Sequence, residues 1–87
     1  MRLDAGVAAF EGDLTLDNAA RLLAEAEAAL GQGARVFDLS RVGQMDSSAL
    51  SLMLSLRRRA GVQPLEFRAV PESLASLAAL YGIADQI

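Results

Sequence analysis

The stretch Val36–Arg59, VFDLSRVGQMDSSALSLMLSLRRR, constrains the chain more than any other. It reads as an apolar strand, a loop, an acidic residue followed by two serines, and a helix with two chemically unlike sides. A strand feeding a helix in this way asks for a layered α/β arrangement, because each element must bury one apolar side against another layer. The segments before and after it supply those layers.

Upstream, Arg2–Asp4 and Val7–Glu11 read as two short strands joined at Ala5-Gly6, an antiparallel hairpin at the edge of a sheet. Gly12 and Asp13 are expected to break the second strand. Thr15 is the expected cap of a helix from Leu16, whose apolar side carries Leu16, Ala20, Leu23, Ala26 or Glu27, and Leu30 at a period near 3.6, with Asp17, Arg21, Glu25 and Ala28 opposite. That helix ends at Gly31 and Gly33. The strand Ala34–Leu39 follows, apolar enough to be central, covered on both faces or paired between two neighbours. Ser40–Gln44, with Gly43, is the expected turn.

The next helix begins near Ser47. At 100° per residue, Ala49, Leu50, Met53, Leu54 and Leu56 face the core. Ser48, Ser51, Ser55 and Arg59 share the other side, with Arg58 at its flank. Arg57 projects toward the apolar arc in the last turn, where its stem covers apolar surface and its head reaches water or carbonyls. Gly61 ends the helix, Leu65–Val70 is a strand with Glu66 and Arg68 outward, and Pro71 opens a last helix. Leu74, Leu77, Ala78 and Tyr81 line its inner face, and Ile83 and Ile87 pin the tail. The order β, β, α, β, α, β, α predicts one domain over residues 1–87, a mostly parallel sheet with its N-terminal hairpin at an edge.

Composition limits the chemistry. The 87 residues contain no histidine and no cysteine, so the commonest neutral-pH base, the commonest metal ligand and every thiolate site are missing. No phosphate-binding glycine loop, dinucleotide fingerprint or nucleophile elbow is present. Six aspartates and five glutamates show no spacing that singles out a catalytic pair. The expectation is a protein that is not an enzyme and uses no cofactor or metal. A net charge of −3 gives no general attraction to nucleic acid. No apolar run approaches the ~20 residues of a membrane span. With no secretory h-region either, the expected location is the cytoplasm.

The candidate site is therefore a contact surface. Ser47 or Asp46 reads as the N-cap of the serine-lined helix. Ser47 also reads as a switch, since a phosphate there would lie at the favourable end of the helix dipole yet face Asp46. Ser48, Ser51 and Ser55 are small enough to admit a second surface closely, and Arg57–Arg59 complement the dipole at the far end.

The segment DLSRVGQMDSSALSLMLSL resembles the centre of the STAS domain, the fold shared by anti-sigma factor antagonists and the cytoplasmic tails of sulfate transporters. Together with the ending VPESLASLAALYGI, it most resembles the small STAS subunits of Mla phospholipid-transport ABC transporters. The resemblance covers essentially the whole chain. It implies a non-enzymatic adaptor that binds the transporter's ATPase subunit through Asp46, Ser47, Ser48, Ser51 and Ser55, with Arg58 and Arg59 at the edge. That partner would hold it at the inner face of the inner membrane, with no insertion of its own. The alternative implied is an anti-sigma factor antagonist, phosphorylated on Ser47 by a partner kinase. Ala49 departs from the antagonist pattern, where glycine is usual, and its methyl is expected to crowd a close-approaching kinase.

Overall fold

The computed structural model describes all 87 residues, Met1–Ile87. Chain order runs β1 (Leu3–Asp4), β2 (Val7–Leu14), α1 (Ala19–Gly31), β3 (Val36–Met45), α2 (Ser48–Ala60), β4 (Glu66–Arg68) and α3 (Glu72–Leu80), then a 3-10 turn at Ala84–Gln86. The sheet order is β1-β2-β3-β4. β1 is antiparallel to β2, and β2, β3 and β4 are parallel. The expected mixed, mostly parallel sheet with an N-terminal edge hairpin is what forms. Ala5 and Gly6, at φ 52° and 80°, make the hairpin's two-residue turn.

The helices cover one face of this sheet. Ala8, Phe10, Leu14, Phe37, Leu39 and Phe67 point into the core, while Glu11, Ser40, Glu66 and Arg68 on the opposite face are exposed. β3 is thus central by pairing on both edges, and only one of its faces is covered. Phe10, Phe37 and Phe67 run across three strands with ring centroids 5.8 and 6.3 Å apart in tilted pairs. On them sit Leu22, Ala26 and Leu30 of α1 and Leu52, Met53 and Leu56 of α2, all buried. The alanines of α1 let it lie close to both the sheet and α2.

Two strands outrun their expected ends. β2 continues through Gly12-Asp13, and β3 through Ser40–Gln44, because these segments pair with each other: Glu11 with Arg41, Gly12 with Val42, Leu14 with Met45. Register shifts on either side of this pairing mark bulges, which absorb the turn-forming residues without ending the ladder. Conversely, the strand expected over Leu65–Val70 shrinks to Glu66–Arg68, since Ala69 turns to φ 59° and leads the chain away to Pro71.

Helix phases also differ from expectation. α1 starts at Ala19; Ala26 and Leu30 are buried as expected, but Leu22 and Ala29 join them in the core while Leu16 and Ala20 are exposed and Leu23 is half-buried. In α2, Leu52 is buried and Leu54 is half-exposed. α3 buries Leu74 and Ala78, whereas Tyr81 is 61% exposed, because the helix ends before it and the chain turns at Gly82. Ile83 and Ile87 pack against the core as expected.

Candidate functional site

The extended β2–β3 pairing brings the start of α1 and the start of α2 side by side. Backbone and carboxylates then stitch them together. Gln44 N–H donates to Asp13 Oδ1 at 2.8 Å, Leu16 N–H donates to Asp46 Oδ2 at 3.1 Å, and Ser48 N–H donates to Asp46 Oδ1 at 2.8 Å. Gly43 is required by this approach: a β-carbon there would stand 2.6 Å from Asp13 Oδ1. Asn18 closes the lead-in to α1, accepting from Thr15 N–H at 2.9 Å and donating to the Asp13 carbonyl at 2.6 Å. Thr15 therefore does not cap α1. Its segment forms a turn held by Asn18, and the helix begins three residues later than Leu16. The sequence reading missed Asp13 and Asn18, whose partners lie in other segments or behind them in the chain.

The choice between Asp46 and Ser47 as cap resolves in favour of the carboxylate. Asp46 accepts the Ser48 N–H, while Ser47 is already in helical conformation (φ −62°, ψ −15°) and its side chain makes no capping bond. Two backbone N–H donors, from Leu16 and then Ser48, hold the Asp46 carboxyl below the usual carboxylate range. Ser47 is exposed, so its hydroxyl is accessible and unused by the fold. Ala49 is fully buried. Its methyl is packed in the core and is not part of the exposed surface around Ser47.

Below this tip lies a trough of about 320 Å³ between α1 and α2. Ser48, Ser51, Leu52 and Ser55 form one wall, and Leu16, Ala19, Ala20 and Leu23 form the other. Leu16 is 78% exposed, a large apolar side chain left at the rim. The serine side expected of α2 is thus present, but it is half of a cleft whose apolar half belongs to α1. One signal for that half exists in the sequence: the adjacent Leu22 and Leu23 lie 100° apart on a helix and cannot both point straight at the sheet.

The three arginines at the end of α2 separate. Arg57 is structural: Nε donates to the Gln86 carbonyl at 2.9 Å, Nη1 to the Leu65 carbonyl at 2.7 Å, and its guanidinium lies 5.2 Å from the Phe67 ring centre. Arg59 reaches across to Glu27 of α1 at 3.6 Å. Arg58 is exposed, and its only bond is a 3.4 Å contact to Ser55 Oγ. Of the expected site residues, Ser48, Ser51 and Ser55 line the trough, Asp46 and Ser47 stand at the head of α2, and Arg58 lies beside Ser55, while Arg59 is tied to Glu27 of α1.

A family model described as "Mlab, STAS domain" matches residues 2–87. The chain belongs to the STAS family. No curated protein matches it. Among solved structures, this STAS domain is similar to the anti-sigma factor antagonist SpoIIAA in its unphosphorylated form. The TM-score is 0.64 and the identity 21%, over 92% of this chain and 74% of that one. The likeness carries the fold: the sheet, its N-terminal hairpin and the three helices are those of a STAS domain.

Proposed function

We propose that this STAS domain is a non-enzymatic adaptor that docks on the ATPase subunit of a phospholipid-transport ABC transporter. The contact runs from the Asp46–Ser48 tip down the serine wall to Arg58 and Arg59. The observation that carries this reading is the exposed, unbonded Ser47 side chain standing at the head of an open, partly apolar cleft. Small side chains at Ser48, Ser51 and Ser55 admit a partner's backbone closely, and Leu16 and Leu23 offer apolar area to bury. The Mla-type description of the family model supports the choice of transporter. Bound in this way, the domain would sit in the cytoplasm beside the inner membrane. No helix in it is long and apolar enough to cross one.

A second reading rests on the same hydroxyl. A phosphate on Ser47 would stand at the start of α2, where the helix dipole favours it, and beside the Asp46 carboxylate, which does not. Free access to Ser47, and the likeness to an anti-sigma factor antagonist named in its unphosphorylated form, favour it.

One variant and one mass measurement separate the two. Ser47→Arg is expected to abolish co-purification with the ATPase subunit and to leave the melting temperature unchanged; undiminished co-purification overturns the docking site. Incubation with a cognate anti-sigma kinase and ATP is expected to leave the intact mass unchanged. The gain of one phosphate on Ser47 would move the assignment to the switch.

A further inference from the structure

The sheet is four strands wide at one end only. β1 pairs with β2 no further than Ala8, and β4 pairs with β3 no further than Asp38. Past those points β2 and β3 continue as a two-stranded parallel arm, residues 11–14 beside 41–45, with no strand on either outer edge. Register shifts break its ladder between Ala9 and Glu11 and again between Gly12 and Leu14.

The wide end and the arm are held by different means. In the four-stranded part Ala8, Phe10, Phe37 and Leu39 are buried. In the arm Leu14 alone is buried, Val42 and Met45 are half-buried, and every other residue is exposed. A parallel pair with free edges and so little buried area is marginal by itself. Two carboxylates hold it closed. Asp13 Oδ1 accepts the Gln44 N–H across the arm, and Asp46 spans the helix heads at its end, accepting the Leu16 N–H on one oxygen and the Ser48 N–H on the other. The backbone bond beside them, from Asp46 N–H to the Leu14 carbonyl, is long at 3.4 Å. The Glu11–Arg41 pair, 3.6 Å apart with both side chains exposed, adds little.

Segments with few buried apolar side chains and exposed backbone bonds open at a lower free energy than the whole fold. We infer that the arm and the helix heads it carries, residues 11–18 and 41–48, are a conformational device that opens as one unit, with Asp13 and Asp46 as its clasps. The four-stranded part and the bodies of α1 and α2 stay folded. Leu14, the arm's one buried side chain, sets the cost of opening. Opening parts Leu16 from Ser48 and so takes apart the head of the trough, and a partner that binds there captures the closed state. The opening belongs to the domain alone and stands or falls separately from docking on the ATPase subunit.

Native-state amide exchange on the purified, isotope-labelled domain, followed by NMR at low urea concentrations, tests this. In the wild type the bonded amides of Leu16, Gln44 and Ser48 are expected to share one protection factor. It should lie about 100-fold or more below those of Met53 and Leu56 inside α2, with a weaker dependence on urea. The clasps separate one unit from independent fraying. Asp13→Ala removes the acceptor of the Gln44 N–H only, yet Leu16 and Ser48 are expected to exchange about fivefold to tenfold faster; Asp46→Ala is expected to do the same to Gln44. Far-UV melting curves check that the variants fold. The wild-type profile needs no variant, and Asp13→Ala carries the second arm of the test if Asp46→Ala does not fold. Arm amides as protected and as urea-dependent as Met53 and Leu56 would make the opening global, and a variant that speeds only the amides bonded to its own carboxylate would make it local. Either result overturns the inference.

Discussion

At the N-terminal end of α2 the fold uses the carboxylate of Asp46 and leaves the hydroxyl of Ser47 alone. At the C-terminal end it uses the guanidinium of Arg57 and leaves that of Arg58. In each pair the neighbours are chemically able to exchange duties, since serine caps helices as aspartate does and one arginine is the same as the next. What separates them is angle. One residue is 100° of rotation on a helix, enough to carry Arg57 over Phe67 and the Leu65 carbonyl while Arg58 points to solvent beside Ser55. The side chains available for a partner are those that the same helix has turned away from its own fold.

The sharpest way to break this comparison is at the C-terminal end. Arg57→Ala removes two charge-assisted bonds to carbonyls and the contact with Phe67, and is expected to cost about 2–4 kcal/mol in urea denaturation. Arg58→Ala, one position on, is expected to change stability by less than about 0.5 kcal/mol. Equal effects of the two would show that the difference in duty is geometric only.

The N-terminal end is tied by contacts between loops, and Gly43 tests that tie. In Gly43→Ala the new methyl meets Asp13 Oδ1 at 2.6 Å, so the carboxylate must swing away and release the Gln44 N–H. Both groups are near water, so the loss is about 1 kcal/mol, the size of one ordinary hydrogen bond. The variant Gly43→Ala with Asp13→Ala should recover part of it, because the clash is then gone. No recovery would place the cost in the β3 backbone instead.

These contacts also mark where the sequence was legible and where it was not. Local pattern was enough for the Ala5-Gly6 hairpin, the parallel order and the serine side of α2, since each depends on residues within one or two turns of each other. It failed at Gly12-Asp13 and Ser40–Gln44, which look like turns in isolation and become strand because they meet across the sheet. It failed again for α1. An alanine-rich helix with Leu16, Leu22, Leu23 and Leu30 permits two phases, and the choice depends on α2 being beside it. The expected serine side of α2 is present, but the apolar wall facing it was not foreseen, because Leu16, Ala20 and Leu23 were assigned to the core.

The smallest effect concerns the charge of Asp46. Its carboxyl is held below the ordinary range in the folded chain, by the Leu16 and Ser48 N–H donors, and returns to about 3.9 on unfolding. Between those two values the unfolded chain takes up a proton that the folded chain refuses. The stabilisation is thus whole above the unfolded value and is lost as pH falls through the folded one. Asp38, held low by Ser40, and Glu25, held low by the N-terminal ammonium and Arg21, act in the same direction, so the wild type loses stability in acid from three sites. Asp46→Asn removes one of them. Asparagine keeps a single acceptor oxygen for two donors, so the variant is expected to be less stable than wild type at neutral pH. In acid the wild-type side chain is protonated and also has one good acceptor, so the two denaturation midpoints should converge. A gap that stays constant from neutral pH down through the acid transition would mean that shape, and not charge, is what Asp46 contributes to the head of α2.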